Sequence, residues 1–177
     1  MSRTALLLVL SLSGCALQSA TLEKLTLDEM IARSTAIVRA RAVASSALFI
    51  GPTIYTRTHF QVLETWKGAN AAAVDVTEPG GSIGSATQEY SGVPHFTPGQ
   101  EFVLFLWTGP SARTQVIGLS QGIFSVERPS GGAAIVRRKP SGGLMLAPGV
   151  GAPVADEEVV MPLSSLAAHV HAALTPK

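Results

Sequence analysis

The chain has 177 residues, 46% of them apolar and 14% charged, with a formal net charge of +1. That length suits a single domain with a substantial core, and the composition excludes intrinsic disorder, which requires low hydrophobicity and high charge. Charge balance also argues against a nucleic-acid partner, because without Arg3 the remaining 12 basic residues face 12 acidic ones and leave no basic surplus.

The first residues read as an export leader. Met1–Thr4 carries one positive charge, and Ala5–Leu12 is apolar apart from Ser11. This run is too short to span a bilayer, which takes about 20 apolar residues, and fits the hydrophobic region of a secretory signal. Leu12-Ser13-Gly14-Cys15 follows at once and resembles the bacterial lipobox. The resemblance implies that residues 1–14 are a signal peptide and that Cys15 is lipidated and becomes the first mature residue. It places the protein in the cell envelope, membrane-anchored through Cys15, and Ala16 does not look like an inner-membrane retention signal, which suits the outer membrane. Several acyl chains hold such an anchor, each buried CH₂ contributing about 0.8 kcal/mol. Cleavage after Ala16 or Ala20 by an ordinary signal peptidase is the alternative, and yields a secreted protein. Cys15 is the sole cysteine, so the domain folds without disulfides.

Residues 15–25 read as a tether, and 26–177 as one domain. Thr26-Leu27-Asp28-Glu29 is a capping box, with Leu25 and Met30 at staple spacing. It opens a short helix over 27–33, in which Leu27, Met30 and Ile31 share a face. Strands follow at 36–43 and 53–65. In the second, Ile54, Thr56, Thr58, Phe60 and Val62 alternate with Tyr55, Arg57, His59 and Gln61. Residues 73–77 form a short strand, and 80–99 a long, weakly patterned loop of the kind that carries function. Glu101–Trp107 is a continuous apolar run, read as a strand buried on both faces or lining a barrel. Strands at 114–119, 122–127 and 133–138 complete the set, the last two joined by the turn Pro129-Ser130-Gly131-Gly132. Arg137-Arg138-Lys139 reads as a solvated hairpin end, and 142–156 as a Gly/Pro-rich connector. Pro162 begins a terminal helix whose Leu163, Leu166, Val170 and Leu174 line one face.

Three stretches carry a likeness to a known fold. They are residues 34–39 (STAIVR), 60–68 (FQVLETWKG) and 98–106 (PGQEFVLFL). Together they resemble the netrin/TIMP-like OB-fold domains over roughly residues 34–106. The resemblance implies a mainly β fold, a small five-stranded or larger Greek-key barrel, here flanked by the short N-terminal helix and the C-terminal helix. Metalloprotease inhibition is one function that the family suggests. Its inhibitors rely on disulfides and a free N-terminal cysteine amine, which a lone lipidated Cys15 cannot supply.

Gly80-Gly81-Ser82-Ile83-Gly84 matches the G-x-S-x-G pattern of serine hydrolases, with Asp156 and then His169 or His171 following in hydrolase order. That motif needs a strand before it and a helix after it, and residues 85–92 have no helical apolar face. His169 and His171, two apart on a helix, point about 200° away from each other and cannot chelate one ion. The chain contains no H-E-x-x-H, C-x-x-C, P-loop or EF-hand pattern, so no cofactor or metal is expected. Trp66, Trp107, Tyr55 and Phe60 read as core and rim packing rather than a binding platform. The expectation is a non-enzymatic binding module with an envelope protein partner. Its working surface is the 80–99 loop, with Tyr90, His95 and Phe96 as contact residues, and a Ser82 hydrolase is the alternative.

Overall fold

A computed structural model describes residues 21–141 and 143–175. The leader over 1–14 and the lipidation position Cys15 lie outside the described residues. The elements in chain order are β1 (Thr21–Glu23), α1 (Leu27–Arg33), β2 (Ala36–Ile50), β3 (Thr53–Lys67), β4 (Ala73–Pro79), β5 (Gly81–Ile83) and β6 (Ala86–Gln88). There follow β7 (Glu101–Thr108), β8 (Thr114–Val116), a 3-10 turn (Leu119–Gly122), β9 (Ile123–Glu127), β10 (Ile135–Arg138), β11 (Leu144–Leu146), β12 (Pro153–Val154), β13 (Val159–Pro162) and α2 (Leu163–Leu174). The fold is mainly β, with strand pairing antiparallel except between β1 and β11, and a C-terminal helix.

The capping box forms as the sequence demands. The Glu29 N–H donates to Thr26 Oγ1 at 3.2 Å, and the Thr26 N–H donates to Glu29 Oε2 at 2.8 Å. Two otherwise orphaned donors are thereby satisfied at the start of a seven-residue helix that could not stand alone. Met30 and Ile31 are its buried residues.

β2 and β3 make one long antiparallel hairpin closed at Gly51 and Pro52, so β2 runs on to Ile50, well past Val43. The alternation in β3 holds from Ile54 to Val62. Beyond it, Leu63 and Trp66 are unpaired extra residues opposite β2, and Val43 is the extra residue on β2. Such bulges re-aim side chains. Phe60 and Trp66, six apart, consequently enter different cores.

β7 is the hub of the largest sheet, whose order is β13-β10-β9-β7-β2-β3-β4. β2 pairs along one edge of β7, while β9 and β8 share the other. Residues 101–106 of β7 are all buried. Val103 and Phe105 face α1 and α2, where Leu166 and Val170 cover them. Phe102, Leu104 and Leu106 face a second core with Phe60 and Val76. Hence the run lacks polar alternation, as expected of a strand covered on both sides.

Several expectations are corrected. No sheet among the described residues closes into a barrel by backbone pairing, because β4 and β13 end the strand order. The large sheet instead curls until β8 lies against β4. There the Val116 N–H donates to the Glu78 side chain, Oε1 at 2.6 Å, rather than to a strand backbone. The described part of the tether is not free: Thr21–Glu23 pairs in parallel with Leu144–Leu146. Gln121 pins it by accepting from the Leu25 N–H and donating to the Glu23 carbonyl. The 142–156 connector contains β11 and β12, which pair with each other. The 80–99 loop begins with a small hairpin, β5–β6, turned at Gly84-Ser85, a two-residue signal of the Gly-Ser kind. Arg138 is not a solvated hairpin end: it is buried against Asp156.

Candidate functional site

The residues after β6 pack back across the start of β7 toward β9 and β10, and a cleft of about 920 Å³ lies between them. Its lining brings together Arg41, Arg128, Arg137 and Lys139 against two carboxylates, Glu101 and Glu127. Glu101, only 6% exposed at its side chain, accepts from Arg41 at 2.7 Å and from Arg128 at 2.5 Å, with Arg39 at 3.5 Å. Burial opposes its charged form, but the hydrogen bonds from Arg128 and Arg41 outweigh that and hold its carboxyl below the ordinary value. Arg137 is shared between Glu127 and Glu158. Lys139 is exposed and has no ion pair among the described residues. The cleft therefore presents more cationic than anionic groups, and the charge at its floor is already organised by Glu101.

A smaller cavity, about 110 Å³, adjoins it. Pro94 and His95 line both spaces. Ser45 of β2, Thr56 and Thr58 of β3, Glu78 of β4 and Phe96 complete its lining. Glu78 is 3% exposed. Burial pushes its carboxyl up to about 7, against the opposing hydrogen bond from the Val116 N–H. Its Oε2 is buried and has no hydrogen-bond partner among the described residues.

The residues anticipated from sequence take separate places. His95 is exposed and sits where the two cavities meet. Tyr90 is exposed but lies outside both linings. Phe96 is a packing residue, edge-on to Phe60 at 4.9 Å and to Phe102 at 5.3 Å between ring centroids. Ser82 is exposed on β5, with Oγ 2.9 Å from Thr87 Oγ1. Its context is a strand followed by a hairpin turn, not a helix. Asp156 bonds Arg138 and the Ser141 N–H, while His169 Nε2 lies 2.6 Å from Asp28 Oδ1 and ties α2 to α1. Ser82, Asp156 and His169 thus each have a different partner. His171 faces the Trp66 ring instead. Of the four aromatics, Phe60 and Trp66 are core residues, Tyr55 lies under the Arg113 guanidinium at 4.4 Å, and Trp107 is exposed.

Glu78 and Glu101 went unnoticed in the sequence, although a signal existed for the first. Period-two reading of β4 puts Glu78 on the face of Val74 and Val76, an acid among inward apolar positions. Glu101 stands at the head of the apolar run, and its guanidinium partners come from β2 and from the residue after β9, which spacing alone cannot reveal. No group of three or more His, Cys, Asp or Glu side chains is assembled to hold a metal among the described residues. No helix among them is long and apolar enough to cross a membrane. No protein-family model, curated protein or solved structure matches this chain.

Proposed function

We propose that this chain is an exported, envelope-anchored binding module that engages a protein partner through an acidic segment seated in the large cleft. The observation that carries this reading is the cleft's lining, four cationic side chains against two carboxylates in a space of about 920 Å³. Arg128 and Lys139 are both exposed at its margin: Lys139 has no ion pair among the described residues, and Arg128, though paired with Glu101, keeps N–H donors that can meet carboxylates arriving from solvent. The export and the anchor rest on the lipobox-like Leu12-Ser13-Gly14-Cys15.

An OB-like Greek-key arrangement is the finer fold that fits this reading. Its support is the run β4-β3-β2-β7 with β8 set beside both β7 and β4, so that five strands wrap one core around Phe60, Leu104 and Val116. OB-folds bind ligands on such a wrapped face and its loops.

Capture from envelope extracts with the tagged full-length protein tests the function. The partner retained at low salt elutes as ionic strength rises and is lost with Arg128→Ala/Lys139→Ala, because screened surface charges carry the attraction. Equal retention by that double variant sinks the proposal.

A further inference from the structure

We infer that the small cavity beside Glu78 is a binding site for a primary ammonium group. The inference is independent of the large cleft and its partner.

Four oxygen-bearing side chains line the cavity: Ser45, Thr56 and Thr58 with their hydroxyls and Glu78 with its carboxylate. Ser45 Oγ and Thr58 Oγ1 are 2.8 Å apart, one hydroxyl donating to the other, and Thr56 Oγ1 donates to the Gly80 carbonyl. Each of these hydroxyl oxygens keeps acceptor capacity after those bonds. Glu78 Oε1 is committed to the Val116 N–H, and Oε2 is the buried acceptor without a partner among the described residues. The elements around it bring no countercharge. β2 and β3 supply hydroxyls, β8 a main-chain N–H, and the 94–96 segment Pro94, Phe96 and His95, the one other titratable side chain in the lining.

A buried carboxylate with no cation beside it is costly, and it resolves the cost by taking a proton or by meeting a positive charge. An –NH₃⁺ group brings one charge and three donors, matching Oε2 and two hydroxyl oxygens. Calcium requires six to eight oxygen ligands, more than this lining offers. The volume of about 110 Å³ admits a methylammonium-sized group. Tetramethylammonium brings no N–H donor. Where Glu78 carries a proton, binding replaces it: the O–H bond breaks, the proton leaves to solvent, and N–H···O bonds take its place. At pH 8 the carboxylate is mostly ionised and accepts the N–H donors directly.

The test is thermal unfolding of the full chain at pH 8 with methylammonium chloride, against sodium, potassium, calcium and tetramethylammonium chlorides at matched ionic strength. Methylammonium raises the midpoint, and the shift grows with the logarithm of its concentration above Kd, because it binds the native state. With two heavy atoms its Kd lies at about ten millimolar or above. The response vanishes in Glu78→Gln, which keeps an acceptor for Val116, and shrinks in Thr58→Val. It weakens about tenfold between pH 8 and pH 6 as the proton competes, and does so equally in His95→Gln. A ¹³C-carboxyl NMR titration of the wild type reads the same event without any variant. The inference is overturned if Glu78→Gln responds like wild type, if tetramethylammonium is as effective, if the pH dependence disappears in His95→Gln, if the Glu78 carboxyl signal does not move, or if potassium or calcium raises the midpoint as much as methylammonium does.

Discussion

Arg138 and Asp156 form an ion pair in which each side chain is 8% exposed and Nη1 lies 2.8 Å from Oδ1. Asp156 also accepts from the Ser141 N–H at 2.6 Å, and Arg138 donates to the Glu157 carbonyl, so the pair ties the end of β10 to the approach to β13. Removing one partner leaves an uncompensated buried charge. Arg138→Met and Asp156→Ala each lower stability by about 3–5 kcal/mol, whereas the double replacement costs less than the sum of the two. Urea unfolding of the three variants measures this, and additive losses would contradict it.

The same carboxylate shapes the acid limb of stability. Burial opposes the charged form of Asp156, but the Ser141 N–H and Arg138 outweigh it and hold its carboxyl below the ordinary value. Glu101 is held low in the same way. For groups with a lowered native pKa, the contribution is complete above the unfolded value and is lost as pH falls through the native one. Unfolding free energy therefore drops below about pH 4 in wild type, and Asp156→Asn flattens that drop.

Glu78 acts with the opposite sign. Its native carboxyl titrates near 7 rather than at the ordinary 4.5, so between these values the native state binds more protons than the unfolded state. Stability then falls as pH rises from 4.5 to 7 and levels off above, a loss of about 3 kcal/mol. In Glu78→Gln that loss is absent, and the variant exceeds wild type at pH 8 while matching it at pH 5. A pH series of denaturation midpoints without added amine decides the matter.

Phe96 tests packing against contact. Because its ring stands edge-on between Phe60 and Phe102, Phe96→Ala lowers stability by about 2–3 kcal/mol. His95→Ala, one residue earlier and exposed, leaves stability within about 0.5 kcal/mol. Calorimetry of the pair distinguishes the two positions.

Gly81 has φ +127°, and a Cβ there would meet Thr56 Oγ1 at 2.5 Å. Gly81→Ala combines a strained backbone with that clash and costs at least about 2 kcal/mol. It also displaces a hydroxyl of the small cavity, so the midpoint shift from methylammonium declines with it. An unchanged melting curve would show that the β4–β5 corner relaxes freely.

Local physics explains what could be read along the chain. The Thr26–Glu29 box, the Leu163–Val170 stripe, the alternation from Ile54 to Val62 and the apolar β7 all involve residues within a few positions of one another. Their periodicity reports which face is buried. The bulges at Val43, Leu63 and Trp66 have no such signature, because each exists only relative to a partner strand. β1 and β11, whose paired residues lie 123 positions apart, likewise pair by backbone bonds that carry no side-chain pattern.

The sequence by itself determined a mainly β domain with a capped helix at the start and an amphipathic one at the end, since these follow from short-range sterics, capping and hydrophobic period. Only the tertiary structure decided the functional candidates. Pairing of β2, β3 and β4 set Glu78 beside three hydroxyls, curling of the sheet brought it to Val116, and the fold gathered Arg41, Arg128, Arg137 and Lys139 around one cleft. Charge, burial and hydrogen bonding act through space, so residues far apart in the chain acquire their chemistry only when the fold makes them neighbours.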